Sequence, residues 1–467
     1  MQCIRWITLI TALLPSMVMA QIDWNGSVFI STEYDDNAFK AAGDKEEEIT
    51  TEAGLKLNLS ASEPRYTADL AYEFTQNHYA NDNFDESASV VGSLGLLGVV
   101  IPQRMHWTLD HSQSEVLTDS RNNDTPDNVE ERSTLSTGPR FFLNPSKRDR
   151  ITLESLYTQI NLEETDENNS ERIANSLSWS HTLSQLSRFQ MTAKLDEVKF
   201  DEVRGSDYER QSLALSLIGQ RALFNYSLSV GANKIIPESG DEISSESFAI
   251  SLSKAHRLAE FELAVSRELT DTISGTRLDI NLDGNVRKGD KLFPVYAEDG
   301  TLSYMVGIGE DGTRSEYGVD DVKLVNEISI VEMTSVAFTT RINVIPDRLR
   351  ASIVVAHSRA ESEDDAESED DFDIDERSWQ VAISANYVLT DNIDILGNLS
   401  FVRDEFKDEP ERTDKTYKSR IGMKYAFSKR LSFTASTNYE KRDSNEGGSD
   451  FDRITVVGSV TYVFGPQ

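Results

Sequence analysis

Cysteine is all but missing from this chain: of 467 residues only Cys3 carries a thiol. Cys3 lies inside MQCIRWITLITALLPSMVMA, which has a basic start, a short apolar run and small residues at Val18-Met19-Ala20. Residues 1–20 therefore read as a secretory signal peptide, and the mature chain from Gln21 would hold no disulfide, no thiol ligand and no lipid-anchor cysteine. Histidine is also scarce. His78, His106, His111, His181, His256 and His357 are scattered, with no HExxH or comparable metal spacing. There is no GxSxG, no P-loop and no GxGxxG opening a helix. Positive charge is outnumbered, 46 Lys+Arg against 80 Asp+Glu for a net charge of −34, and such a surface repels nucleic acid. After the signal no apolar run is long enough for a membrane-spanning helix.

Aromatic residues are plentiful, with 20 Phe, 15 Tyr and 5 Trp, and they fall in a pattern. In RYTADLAYEF, Tyr66, Ala68, Leu70, Tyr72 and Phe74 share one strand face while Arg65, Thr67, Asp69 and Glu73 share the other. The same period of two returns in TEAGLKLNLS, RFQMTAKL, FNYSLSV, SWQVAISANY, IDILGNLSF, YKSRIGMKYAF and RLSFTASTNY. Helical i, i+3, i+4 spacing is nowhere comparable. Length alone would suggest about three soluble domains, but the periodicity describes an all-β chain of long, two-faced strands.

The connections alternate. Short turns such as ASEPR, IPQR, GQRA, AHRLA, IPDR and SKR are basic, through Arg65, Arg104, Arg150, Arg221, Arg257, Arg348 and Lys429. Long polar segments such as DDNAFKAAGDKEEE, LTDSRNNDTPDNVEER, LEETDENNSE and VRDEFKDEPERTDK are crowded with acids. Backbone polar groups in hydrocarbon must all be paired, so a strand-only membrane protein has to close on itself. The sequence thus predicts residues 21–467 as one transmembrane antiparallel up-and-down β-barrel of about 20 strands (18–22), with short periplasmic turns and long acidic extracellular loops. Its apolar face meets lipid and its polar face the lumen. Trp107, Trp179, Trp379, Tyr417 and Tyr439 suit interfacial girdles, though each could be an ordinary strand aromatic. Asp69, Glu73, Lys194 and Asp196 should point inward, as should a basic strip of Lys418, Arg420 and Lys424, which would either steer an anionic solute or pair with a neighbouring strand.

Three segments invite a chemical reading. DINLDGNVRKGD places Asp279, Asn281, Asp283 and Asp290 as side-chain oxygen donors and Asn285 as a carbonyl donor in the pattern of a calcium loop, with Gly284 at the sharp turn. Arg287 stands where a further oxygen usually lies, and a plain Asx and Gly turn without calcium reads the segment equally. The flanking helices of a calcium hand are absent, and the segment sits in the longest connection, about 270–324, as part of a hairpin extension or plug. Glu361–Glu376, ESEDDAESEDDFDIDE, is either a solvated, self-repelling loop or one that gathers divalent cations against anionic surface lipid. His106 and Asp110 share a polar face with Thr108 and Ser112; this could seed a hydrolytic site, and lumen polarity accounts for it as well.

The final segment RITVVGSVTYVF sets Ile454, Val456, Gly458, Val460, Tyr462 and Phe464 on one face. It resembles the last-strand signal by which outer-membrane barrels are recognised for assembly, departing from it in Ser459, where glycine is usual, and in the trailing Gly465-Pro466-Gln467. STEYDDNAF, ITTEAGLKLNLSASEPRYTADLAYEF and FELAVSRELTDTISGT are similar to outer-membrane β-barrel proteins of the porin type found with exopolysaccharide and exosortase (PEP-CTERM) systems. The resemblance implies an outer-membrane barrel for passage or secretion of solutes or exopolysaccharide. It implies lipopolysaccharide, the outer-membrane assembly machinery and polysaccharide-export components as partners, and it brings no catalytic residues and no cofactor. A surface scaffold acting through acidic loops is the alternative, and a barrel hydrolase the third.

Overall fold

A computed structural model of the chain describes residues 22–118, 123, 125–163, 169–201, 207–221, 223–238, 242–271, 279–281, 291–296, 302–308, 314–318, 323–325, 330–346, 348–362, 375–407, 411–446 and 449–466. The signal segment 1–20 lies outside them.

The strands run in chain order. The first are β1 (Ile22–Asp35), β2 (Glu48–Glu63), β3 (Tyr66–Tyr79), β4 (Ser87–Ile101), β5 (Met105–Leu117), β6 (Val129–Leu143) and β7 (Asp149–Leu162). There follow β8 (Ser170–Ser184), β9 (Ser187–Phe200), β10 (Tyr208–Arg221), β11 (Phe224–Pro237), β12 (Ile243–Ala255) and β13 (Ala259–Asp271). Five short strands come next, β14 (Asp279–Asn281), β15 (Lys291–Tyr296), β16 (Leu302–Ile308), β17 (Arg314–Gly318) and β18 (Lys323–Val325). The chain finishes with β19 (Ile330–Ile345), β20 (Leu349–Ser362), β21 (Asp375–Thr390), β22 (Ile393–Phe406), β23 (Arg412–Ala426), β24 (Leu431–Ser444) and β25 (Phe451–Phe464).

Twenty of these, β1–β13 and β19–β25, form one sheet in which each strand pairs antiparallel with the next in that order. Pairing of β1 with β25, from Gly26 opposite Phe464 to Asp35 opposite Thr455, closes it. Closure leaves no open edge, the condition hydrocarbon sets on a sheet. The expected all-β up-and-down barrel of about 20 strands is what forms.

Register separates the two faces. Val28 lies between Leu55 and Tyr462, and Leu55 in turn lies opposite Phe74, so the apolar residues of successive strands meet on the outside. On β21, Trp379 and Tyr387 bracket Val381, Ile383 and Ala385 on that outer face; on β23, Tyr417 and Tyr425 bracket Ser419, Ile421 and Met423. Eight residue steps at about 3.4 Å each, tilted by about 40°, span about 21 Å, close to the apolar band of about 25 Å in outer-membrane barrels. Trp107, Trp179, Trp379, Tyr417 and Tyr439 are all exposed outward, as a girdle requires. Immediately beyond Trp379, Phe401 and Tyr439 the outer face turns ionic: Arg377 pairs with Asp375 at 3.0 Å, Arg403 with Glu405 at 2.5 Å and Lys441 with Asp443 at 2.7 Å.

This ionic collar explains where the loop boundaries shift from expectation. Strands continue past the lipid, where an outward charge meets water, so the acidic tracts are partly strand. Val402–Phe406 and Arg412–Lys415 belong to β22 and β23, leaving a connection of only 407–411. Likewise Thr270 ends within β13 and the longest connection is 272–329, while Glu361–Ser362 close β20 and Asp375–Glu376 open β21. The rest of that acidic tract, 363–374, lies outside the described residues. Short turns gather at one end of the barrel with the first and last strand termini, and the longer connections at the other. Within 272–329, β15–β17 form a three-stranded antiparallel sheet and β14 pairs with β18.

Gly138 is a position where glycine is required. A Cβ there would lie 1.8 Å from the Ser155 carbonyl oxygen, and the β6–β7 ladder skips Gly138 and Pro139. Proline has no N–H to give, so pairing lapses there and resumes in the same register with Arg140 opposite Glu154.

Candidate functional site

The candidate site is the lumen wall, built from the residues opposite in parity to the lipid-facing ones. Its middle is lined by small hydroxyls that bond across the ladder. Ser136 meets Thr158 at 2.8 Å, Ser178 meets Thr192 at 2.8 Å, Ser216 donates to Ser229 at 2.9 Å, Ser266 meets Ser335 at 2.7 Å and Ser352 meets Ser384 at 2.6 Å. Short side chains keep the bore wide, and mutual hydrogen bonds leave them without a strong demand for a ligand.

Charge is distributed in patches around this neutral belt. The predicted inward residues Asp69, Glu73, Lys194 and Asp196 share the lumen face. Asp69 accepts from Ser60 at 2.8 Å, and Glu73 pairs with Lys56 at 2.7 Å. Of the basic strip, Lys418 pairs with Glu440 at 2.8 Å and Arg420 donates to Ser436 at 3.3 Å, so the pairing expected for it holds for Lys418 and not for Arg420. Near the short-turn end a concavity of about 760 Å³ is lined by Arg341, Arg350, Asn386, Asn398 and Arg420 together with Glu260.

At the opposite end the segment after β1 folds over the bore. Asn37 donates to the carbonyls of Ala41 at 2.9 Å and Asp452 at 3.0 Å. Lys40, with its side chain fully buried, reaches Glu440 at 3.7 Å and lies 5.5 Å over the Phe451 ring. Arg453 joins Glu440 and Asp35, each at 2.9 Å. Ala38, Tyr79 and Phe84 pack beneath this clasp. The sequence showed the segment only as a polar loop, because nothing local marks Lys40 as buried.

Of the expected calcium donors, only two fall among the described residues. Asp279 and Asn281 belong to β14 and pair with Val325 and Lys323, while Asp283, Asn285 and Asp290 lie outside the described residues. Among the described residues no group of three or more His, Cys, Asp or Glu could hold a metal ion. His106, Thr108, Asp110 and Ser112 do share the lumen face of β5, but they do not converge. His106 stacks edge-on against Phe142 at 4.8 Å and Thr108 donates to the Gly138 carbonyl at 3.4 Å. A grouping the sequence reading missed lies on the outer wall, where His111 contacts the Tyr72 hydroxyl through Nδ1 and Ser133 Oγ through Nε2 at 3.1 Å. Three strands contribute to it, so only the register reveals it.

Comparison with known proteins follows the same lines. Residues 377–464, from β21 to the end of β25, match the family described as Putative beta-barrel porin 2. Among solved structures the chain is similar to the siderophore receptor PirA from Pseudomonas aeruginosa, with 10% identity, 95% of this chain and 81% of that chain covered and a TM-score of 0.45. It is similar to the siderophore receptor PirA from Acinetobacter baumannii, at 9% identity, 95% and 80% coverage and a TM-score of 0.49. The outer membrane protein opdK from Pseudomonas aeruginosa gives 11% identity, 95% and 99% coverage and a TM-score of 0.37. No curated protein matches the sequence. With its wall closed by 20 strands, its lipid-facing aromatic belt and a porin family matched over its last five strands, the chain is a porin-type β-barrel of the outer membrane.

Proposed function

We propose that the barrel serves passage or secretion of solutes, exopolysaccharide among them, across the outer membrane as a channel without catalysis. The observation that carries this reading is the lumen face itself: a wall of small, mutually bonded hydroxyls running between isolated charge patches. Barrels of 16 to 18 strands already leave an aqueous channel, and this one has 20. In this reading the signal segment 1–20 directs export and the short basic turns face the periplasm. The long acidic connections face outward, where divalent cations bridge them to lipopolysaccharide, and the last strand is the handle for the assembly machinery. Polysaccharide-export components would deliver the polymer to the short-turn end. The test is reconstitution of the mature barrel in planar bilayers. Discrete conductance steps are expected, and silence at every voltage refutes the reading.

A second reading, attachment through the loops, is favoured by the base of the acidic tract. Arg359 holds Glu361 at 2.6 Å and Asp375 at 3.3 Å, and Arg377 holds Asp375 as well, so the loop leaves the wall from a riveted root. Deletion of 363–374 would abolish polymer retention at the surface while leaving assembly intact; unchanged retention counts against it.

A further inference from the structure

Several lumen hydroxyls bond to one another across the ladder, and the stretch across β20–β23 sets longer polar side chains beside them. Across β20–β23 the register sets Arg350 opposite Asn386, Ser384 opposite Asn398, and Asn398 opposite Arg420. Ser384 spends its hydroxyl on Ser352. The side-chain amides of Asn386 and Asn398 have no hydrogen-bond partner among the described residues. Arg341, across the ladder from Ser352, is held by Glu260 at 3.6 Å and Glu262 at 3.5 Å. Arg350 forms no ion pair among the described residues, and Arg420 makes only its contact to Ser436. Both arginines are exposed to the lumen and both line the 760 Å³ concavity.

The arrangement is thus two guanidinium groups without an ion pair among the described residues, three strands apart, with two amides lacking a hydrogen-bond partner between them. At about 4.8 Å per strand the ends are separated by roughly 14 Å. A guanidinium fork matches a carboxylate in two-point geometry. An amide offers a donor and an acceptor together, which suits a neighbouring hydroxyl. No tryptophan, tyrosine or phenylalanine lines the concavity, so a sugar ring finds no stacking platform and is held by its polar groups alone. We propose that this wall is a binding subsite for an acidic saccharide, a solute carrying carboxylates beside hydroxyls, with Arg350 and Arg420 on the carboxylates and Asn386 and Asn398 on the hydroxyls. The proposal rests on the channel reading and names the class of its solute.

The probe is tri-galacturonate, with neutral maltotriose beside it, titrated calorimetrically into the full-length barrel in detergent micelles and applied to single channels in planar bilayers. Tri-galacturonate binds and interrupts the current, maltotriose does neither, Arg350→Gln and Arg420→Gln each weaken binding about tenfold, and the double variant weakens it further. Both side chains are exposed and outside the lipid belt, so the variants keep the wall. Absence of tri-galacturonate binding, equal binding of maltotriose, or unchanged affinity in the double variant overturns the subsite. Conductance without tri-galacturonate binding refutes the subsite and leaves the channel standing. Calorimetric binding in a barrel that never conducts supports the subsite and refutes passage.

Discussion

Ile383 sits midway between Trp379 and Tyr387 on the outer face of β21, flanked by Ile353 and Leu399 and 45% exposed. In water that exposure would be harmless; in a bilayer it marks contact with the hydrocarbon midplane. Ile383→Arg should therefore cost about 2–4 kcal/mol of folding free energy, the range for a cation at the midplane of a barrel wall, or roughly 30- to 700-fold in the folding equilibrium. Ala382, its chain neighbour, points the other way, between Val354 and Ser400 on the lumen side. Ala382→Arg places the same charge in water and should change stability by no more than about 0.5 kcal/mol. Urea titration of the barrel refolding into phospholipid vesicles, followed by tryptophan fluorescence, measures both. Equal costs for the two substitutions, or the larger one at Ala382, would mean that the faces have been assigned the wrong way round.

Three further outcomes follow from particular contacts. Gly138→Ala drives a Cβ into the Ser155 carbonyl where the β6–β7 pairing lapses and should cost at least about 3 kcal/mol, the upper end of overpacking, lowering the refolded fraction in the same titration. Lys40→Met removes a buried cation from Glu440, which keeps Lys418 and Arg453; the loss should be about 3 kcal/mol, the lower end for breaking a buried pair, and it should show as faster tryptic cleavage at Lys45. If DINLDGNVRKGD takes calcium, the full-length barrel gives calcium-dependent heat at millimolar ion that Asp283→Ala abolishes, and an identical trace from the variant disposes of the site.

The barrel was legible because a strand with two solvents carries its own label. Tyr66, Ala68, Leu70, Tyr72 and Phe74 alternate with Thr67, Asp69 and Glu73 whatever their neighbours are, so strand number, face and girdle follow from one dimension. Loop limits were misjudged for the same reason read backwards. Arg403, Glu405 and Lys415 look like loop because they are charged, yet they are ladder residues on two paired strands, β22 and β23, that have left the lipid. Composition reports the solvent, and only pairing reports the backbone.

The lumen subsite lies one dimension further from the sequence. Arg350, Asn386, Asn398 and Arg420 lie 12 to 36 residues apart from one to the next, and what makes them one surface is the register of three successive strand pairings. A one-residue slip of β22 against both β21 and β23 would turn Asn398 to the lipid and leave Arg420 beside Leu399 or Gly397 instead. The lipid-facing Ile353, Ile383 and Leu399 forbid that slip, since it would send all of one strand's apolar residues into water. The outer belt thus fixes the register, and the register assembles the polar row inside: the residues that hold the barrel in the membrane are also those that position the site. A slip variant would lose stability and saccharide binding together, whereas Arg350→Gln loses binding alone, and that difference separates a site built by the fold from charges that merely share a wall.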